Sequence, residues 1–208
     1  MSRLKQKKDE PITAFRTTRS MAAYNSGKAK LNSINIQSSM EARPKLTIEL
    51  TKVDKTLEGL CLIILILLWT GIIAGFSKLP DEIPSHFNAS GQADDYSNKT
   101  SIFNLPIVVT ILYLGMTILN RYPHVYNYSA TLTMENAGRL YKSATRLIRI
   151  LKLAVIVIFT GIVLLTCNSA ITKGDGLGVW FLPVVLALMF VPTIIYLLTS
   201  WNSTKSFK

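Results

Sequence analysis

The sequence predicts an all-α membrane protein of four transmembrane helices with both termini in the cytoplasm. Three observations carry that prediction. Apolar residues make up 49% of the chain and charged residues only 17%, a balance foreign to soluble domains. The apolar residues gather into four long blocks instead of spreading at core periodicity. Lys and Arg concentrate in alternate connections, as the positive-inside rule requires.

Residues 1–52 read as a disordered, basic cytoplasmic tail. Up to position 55 the chain carries twelve Lys and Arg against five Asp and Glu, few aromatics and no sustained apolar period, so it has little to offset its ordering entropy. Such a tail suits an anionic lipid surface or nucleic acid. Beside a membrane helix the lipid and topology readings come first, and no direct nucleic-acid contact is expected.

The first span runs from about Gly59 to Ser77 without a charge, about 28 Å of helix and one hydrocarbon core. Its helix is expected to start near Val53-Asp54-Lys55. Gly71 and Gly75 stand four apart, a small-xxx-small spacing that would let another helix approach. The second span covers about Ile102 to Leu119 and ends at Asn120-Arg121-Tyr122-Pro123. The third covers about Leu151 to Ala170. The fourth lies between Trp180 and Trp201, about 31 Å apart along a helix and placed to mark both interfaces; Pro192 falls inside it and should kink it. A short tail, 202–208, follows. Cys61 and Cys167 fall at opposite ends of their spans and are expected to be unpaired, small apolar packers.

Between the second and third spans, Arg139, Lys142, Arg146 and Arg149 recur at steps of three, four and three, with Leu140, Ala144, Leu147 and Leu151 on another face. This predicts an amphipathic helix over 133–150, with Thr133 as N-cap and its basic face on an anionic leaflet or a cytoplasmic protein partner.

The outer loop, residues 78–101, is the most individual stretch. Leu79-Pro80 and Ile83-Pro84 force extended, non-helical backbone, since each residue before a proline avoids the helical region. Asn88-Ala89-Ser90-Gly91 has turn chemistry, with Gly91 able to take a positive φ. Ile83 and Phe87 are expected to fold back onto the ends of the spans, and His86 to fix the loop by a hydrogen bond. Asp94 and Lys99 are candidates for an ion pair. A metal site built from His86 with Asp81, Asp94 or Asp95 matches no ligand spacing, so none is assigned. No nucleophile triad, HExxH, Walker loop or dinucleotide fingerprint appears, and no span has a charge at its centre. Neither catalytic residues nor a cofactor are expected, and the chain is read as a non-enzyme.

The run Leu79-Pro80-x-x-Ile83-Pro84-x-His86-Phe87-Asn88-x-x-Gly91-x-x-Asp94, followed by Lys99, resembles the signature of domain-of-unknown-function family 1648, DUF1648. Asn120-Arg121-Tyr122-Pro123, Glu135-Asn136-Ala137 and Tyr141 with Thr145-Arg146 resemble its cytoplasmic continuation, so the resemblance covers about 57–155, within a region read as 53–155. That family includes the Sdp-type immunity protein, which protects a cell from a secreted peptide toxin and relays its presence to a cytoplasmic repressor. The resemblance implies an immunity or signalling role in a bacterial inner membrane, with the loop meeting an external peptide or small ligand. An accessory subunit of a transport or envelope assembly is the alternative.

Overall fold

A computed structural model of the chain describes residues 21–33, 43–128, 132–174 and 176–205. The chain divides into residues 1–44 and a larger unit, Lys45–Lys208. In the first, residues 21–33 form helix α1 with every side chain exposed, where the sequence reading expects no regular structure. Ala22, Ala23, Lys28, Ala29 and Lys30 are strong helix formers, and the Ser26 and Ser33 hydroxyls turn back to carbonyls of their own helix. The disorder expected for 1–20 and 34–42 lies outside the described residues.

The larger unit is built on four helices: α2 (Lys52–Gly75), α3 (Asn104–Leu119), α4 (Ala137–Thr172) and α5 (Phe181–Lys205). Each contains a stretch long and apolar enough to cross a membrane. The first begins at a capping box. Thr51 Oγ1 accepts from the Asp54 backbone N–H at 3.3 Å, and the Asp54 carboxylate accepts from the Thr51 N–H at 3.0 Å, satisfying two donors that a helix start leaves open. The buried residues Asp54, Cys61, Leu65, Leu68 and Ile72 lie along one face of α2, with Glu58 completing steps of four and three. Its core-facing seam is therefore acidic for two turns and apolar afterwards. Gly71 and Gly75 fall off that seam, and a Cβ at either would meet nothing within 4 Å; among the described residues no close approach occurs at this pair.

α3 joins α2 through Trp69, whose indole N–H donates to Thr110 Oγ1 at 3.0 Å, and through Phe103, which packs on Trp69 and Phe76. The apolar core gathers Cys61, Leu65, Leu68 and Ile72 with Ile83, Ile102, Val109, Ile156 and Val163. Cys61 and Cys167 are both free thiols.

The start of α4 is revised from a Thr133 N-cap to Ala137. The amphipathic stretch and the third span form one continuous helix of 36 residues. It begins at Ala137 because Thr133 and Asn136 close a turn on each other: Asn136 Oδ1 accepts from the Thr133 N–H, and Thr133 Oγ1 from the Asn136 N–H. It ends at Lys173, which takes the left-handed conformation at φ 54°. α5 carries Pro192 in its interior and continues past Trp201 to Lys205. Trp180 stands exposed just before it.

The all-α expectation gives way to a mostly helical fold with one small sheet. Between α2 and α3, β1 (Glu82–Phe87) and β2 (Ala93–Asn98) form an antiparallel hairpin. The prolines that exclude helix here also set extended geometry, and proline is tolerated in an edge strand. Ile83 and Pro84 turn inward while Ser85 and His86 face out. The register shifts between Pro84 and Phe87 accompany that change of face, as bulges do.

Candidate functional site

The hairpin is held at its root and at its tip. At the root the Lys99 backbone N–H donates to the Asp81 carbonyl at 2.9 Å, and Lys99 Nζ reaches Asp81 Oδ1 at 2.9 Å. The ammonium also lies 5.7 Å from the centroid of the Phe76 ring. The hydrogen bond and charge of Lys99 hold the Asp81 carboxyl below its ordinary pKa. Lys99 thus pairs with Asp81, and the expected pair with Asp94 does not form. Leu79 and Ile83 are buried beside it in the core, while Pro80 is exposed.

At the tip, Asn88 Oδ1 accepts from the backbone N–H groups of Ser90 and Gln92 at 2.9 and 3.1 Å. This Asx arrangement closes the turn and brings Gly91 to φ +77°, a region only glycine enters without strain. The exposed His86 contacts Asp94 through Nδ1 at 2.5 Å. Asp94 stands at a register shift, which delivers its carboxylate to the imidazole. Among the described residues no three His, Cys, Asp or Glu side chains converge as a metal site would need.

The tip is docked, not free. The connection between α4 and α5 passes beneath it through Gly176 and Gly178, at φ +94° and +80°. The Leu177 N–H donates to the Gly91 carbonyl at 2.7 Å. A Cβ on Gly91 would come within 2.5 Å of the Gly178 backbone, and one on Gly176 within 2.4 Å of the Gly91 oxygen and 3.1 Å of the Phe87 ring. Two glycine backbones in contact therefore join the hairpin to the α4–α5 end of the bundle. The recurrence of glycine at 174, 176 and 178 is the sign in the sequence of a close approach.

At the opposite end, α2 and α4 meet through charges. Arg146 Nε donates to Asp54 Oδ1 at 3.1 Å, and its Nη2 reaches Thr51 Oγ1 at 2.9 Å. Arg149 places Nη1 3.8 Å from Asp54 and Nε 3.2 Å from Glu58 Oε1, the latter without hydrogen-bond alignment. Lys152 Nζ contacts Glu58 Oε2, donates to Thr117 Oγ1 at 2.9 Å and lies 4.9 Å from the Tyr113 ring centroid. Relative exposure is 2% for Asp54, 5% for Arg149 and 0% for Lys152. One ammonium thereby ties α2, α3 and α4 together.

This overturns the single basic face. Arg139 and Lys142 are exposed, but Arg146 and Arg149 are engaged with α2. A face of four basic residues read along one helix says nothing of carboxylates on its neighbour. Asp54 and Glu58, four apart at the head of one span, and Arg146, Arg149 and Lys152, three apart at the head of another, were the missed signal. Beside this cluster, Tyr126 donates to the Leu119 carbonyl at 2.9 Å and capping Asn120 at 3.2 Å. Burial pushes its phenol pKa up to about 12, so it remains a donor at neutral pH.

Fold and site together define a multi-pass helical membrane protein with a docked interhelical hairpin. Residues 62–110, from within α2 through the hairpin into α3, match the family model described as a domain of unknown function, DUF1648. An uncharacterized protein of the archaeon Archaeoglobus fulgidus is 35% identical over 89 residues, covering 39% of this chain and 49% of that protein. The chain thus spans about half the length of the curated relative it matches. No solved structure matches.

Proposed function

We propose that the protein is a non-enzymatic sensing or immunity-like membrane module whose hairpin is an extracytoplasmic recognition face. The supporting observation is the bond from Leu177 to Gly91: a ligand pressing on the hairpin acts on the α4–α5 connection without an intervening flexible link. α4 then runs as one helix to the charge cluster and to the exposed Arg139 and Lys142, where a cytoplasmic protein partner would read the change. A ligand shifts such an equilibrium only by its differential affinity for the two states. The alternation of Lys and Arg supports cytoplasmic termini, and the resemblance supports a bacterial cytoplasmic membrane as the setting. The test compares cells with and without the gene, challenged with secreted antimicrobial peptides and profiled for transcription. A several-fold rise in sensitivity to one peptide on deletion is the expected result. Unchanged sensitivity together with unchanged transcription would overturn the proposal.

A second reading, an accessory subunit of a transport or envelope assembly, draws on a groove of about 390 Å³ between α2 and α4. Gly71 and Gly75 line it, and it would seat a partner's helix. Crosslinking in mild detergent that recovered only monomer would remove this reading.

A further inference from the structure

The charge cluster does not balance. Arg146, Arg149 and Lys152 bring three cations to the two carboxylates of Asp54 and Glu58. Arg146 and Lys152 take the aligned bonds, which leaves Arg149, 95% buried by its relative exposure of 5%, with its Nε–H pointing at no acceptor in hydrogen-bond geometry among the described residues. A buried cation without full compensation is costly.

Arg149 borders a half-open cavity of about 610 Å³ between the irregular segment 45–50, the end of α3 and the turn that follows it. Lys45, Arg121 and His124 line the same cavity, and Glu58, already held by Lys152, is its one acid among the described residues. Asn120 lines it too, and its buried Nδ2 has no hydrogen-bond partner among the described residues. An amide donor, two guanidinium groups and an ammonium around one space are the donor set for a multi-oxygen anion.

We infer that this cavity binds a phosphate group, with Arg149 and Asn120 as its buried donors and Arg121 and Lys45 as its outer cations. The cavity lies where α3 ends and apolar sequence gives way to Asn120-Arg121, the depth at which phospholipid headgroups sit. A soluble phosphate compound would meet the same chemistry. The site is independent of the hairpin reading, since it lies at the other end of the bundle and needs no external ligand.

The test uses the full chain in uncharged, phosphate-free maltoside micelles, followed by thermal melting and native mass spectrometry. Inorganic phosphate is added in one arm and phosphatidic acid in another, against chloride at equal ionic strength. Ligand that binds the folded state raises the melting midpoint. A rise with inorganic phosphate assigns the site to soluble phosphates; a rise with phosphatidic acid alone, with lipid retained in the mass spectrum, assigns it to a headgroup. Lys45 and Arg121 are exposed, so Lys45→Ala/Arg121→Ala should fold, and it should lower the apparent affinity by about tenfold or more, the worth of a hydrogen bond to a charged group. No rise in either arm, or a rise that the double variant leaves intact, would overturn the inference.

Discussion

The Leu177 backbone N–H donates to the Gly91 carbonyl at 2.7 Å, joining residues 86 positions apart by one bond between two glycine-bearing turns. Neither Gly91 nor Gly176 has room for a Cβ. Gly91→Ala adds a Cβ within 2.5 Å of Gly178 and places alanine at φ +77°. Backbone strain of this kind costs about 1–3 kcal/mol, and here it falls on the docked geometry. The expected outcome is a lower melting midpoint, with faster hydrogen exchange at Leu177 and across β1 and β2 but little change in α2. Exchange at Leu177 equal to wild type would mean that the tip docks by other contacts.

The pair of the buried Lys152 with the part-exposed Glu58 gives an asymmetric prediction. Lys152→Met leaves Glu58 without its closest partner; removing one member of a fully buried pair costs about 3–5 kcal/mol, and the 26% exposure of the Glu58 side chain puts this case below that range. The double variant Lys152→Met/Glu58→Gln should recover part of that loss, because it removes the carboxylate left by Lys152 while keeping an amide oxygen beside the buried Arg149 Nε, 3.2 Å away in the wild type. Chemical denaturation in micelles measures both. A double variant as unstable as the single would locate the stabilisation in Thr117 and Tyr113 instead of Glu58.

These two ends differ in how far they could be read from sequence. The four spans were legible because uninterrupted apolar runs have one stable solution in a bilayer. The extended backbone at Ile83-Pro84 and the positive φ of Gly91 were legible because proline and glycine act on their own residue. The pairing of Lys99 with Asp81 was not, since Asp94 lies nearer in sequence and only the hairpin register decides between them. Arg149 was misassigned for a related reason: helical spacing places it on a face, and only the neighbouring helix determines whether that face meets water or Asp54.

The root of the hairpin should loosen in acid. Lys99 holds the Asp81 carboxyl below its ordinary pKa, so the pair's contribution is fully present above the usual carboxylate range. It is lost as pH falls through the depressed value. Asp81 is fully exposed, so the effect is local and screened by salt. Exchange of the Lys99 amide, measured against pH and corrected for its intrinsic rate, should show protection falling on acidification. Asp81→Asn should flatten that dependence, and a profile unchanged by the substitution would place the acid response elsewhere.

The contact between His86 and Asp94 separates a structural role from recognition. Their side chains are 68% and 41% exposed, and an exposed pair is worth at most about 1 kcal/mol. His86→Ala and Asp94→Ala should therefore each move the melting midpoint only slightly, since the turn is held by Asn88 and the dock by Gly91. Their position on the outward side of β1 and β2 is where a ligand would meet the hairpin. In cells in which deletion raises sensitivity to a peptide, either variant should fail to restore resistance at wild-type protein levels, whereas Ser85→Ala should restore it. Full rescue by both His86→Ala and Asp94→Ala would move the recognition surface away from this face of the hairpin, leaving the docked tip and the α4–α5 connection as the part to probe.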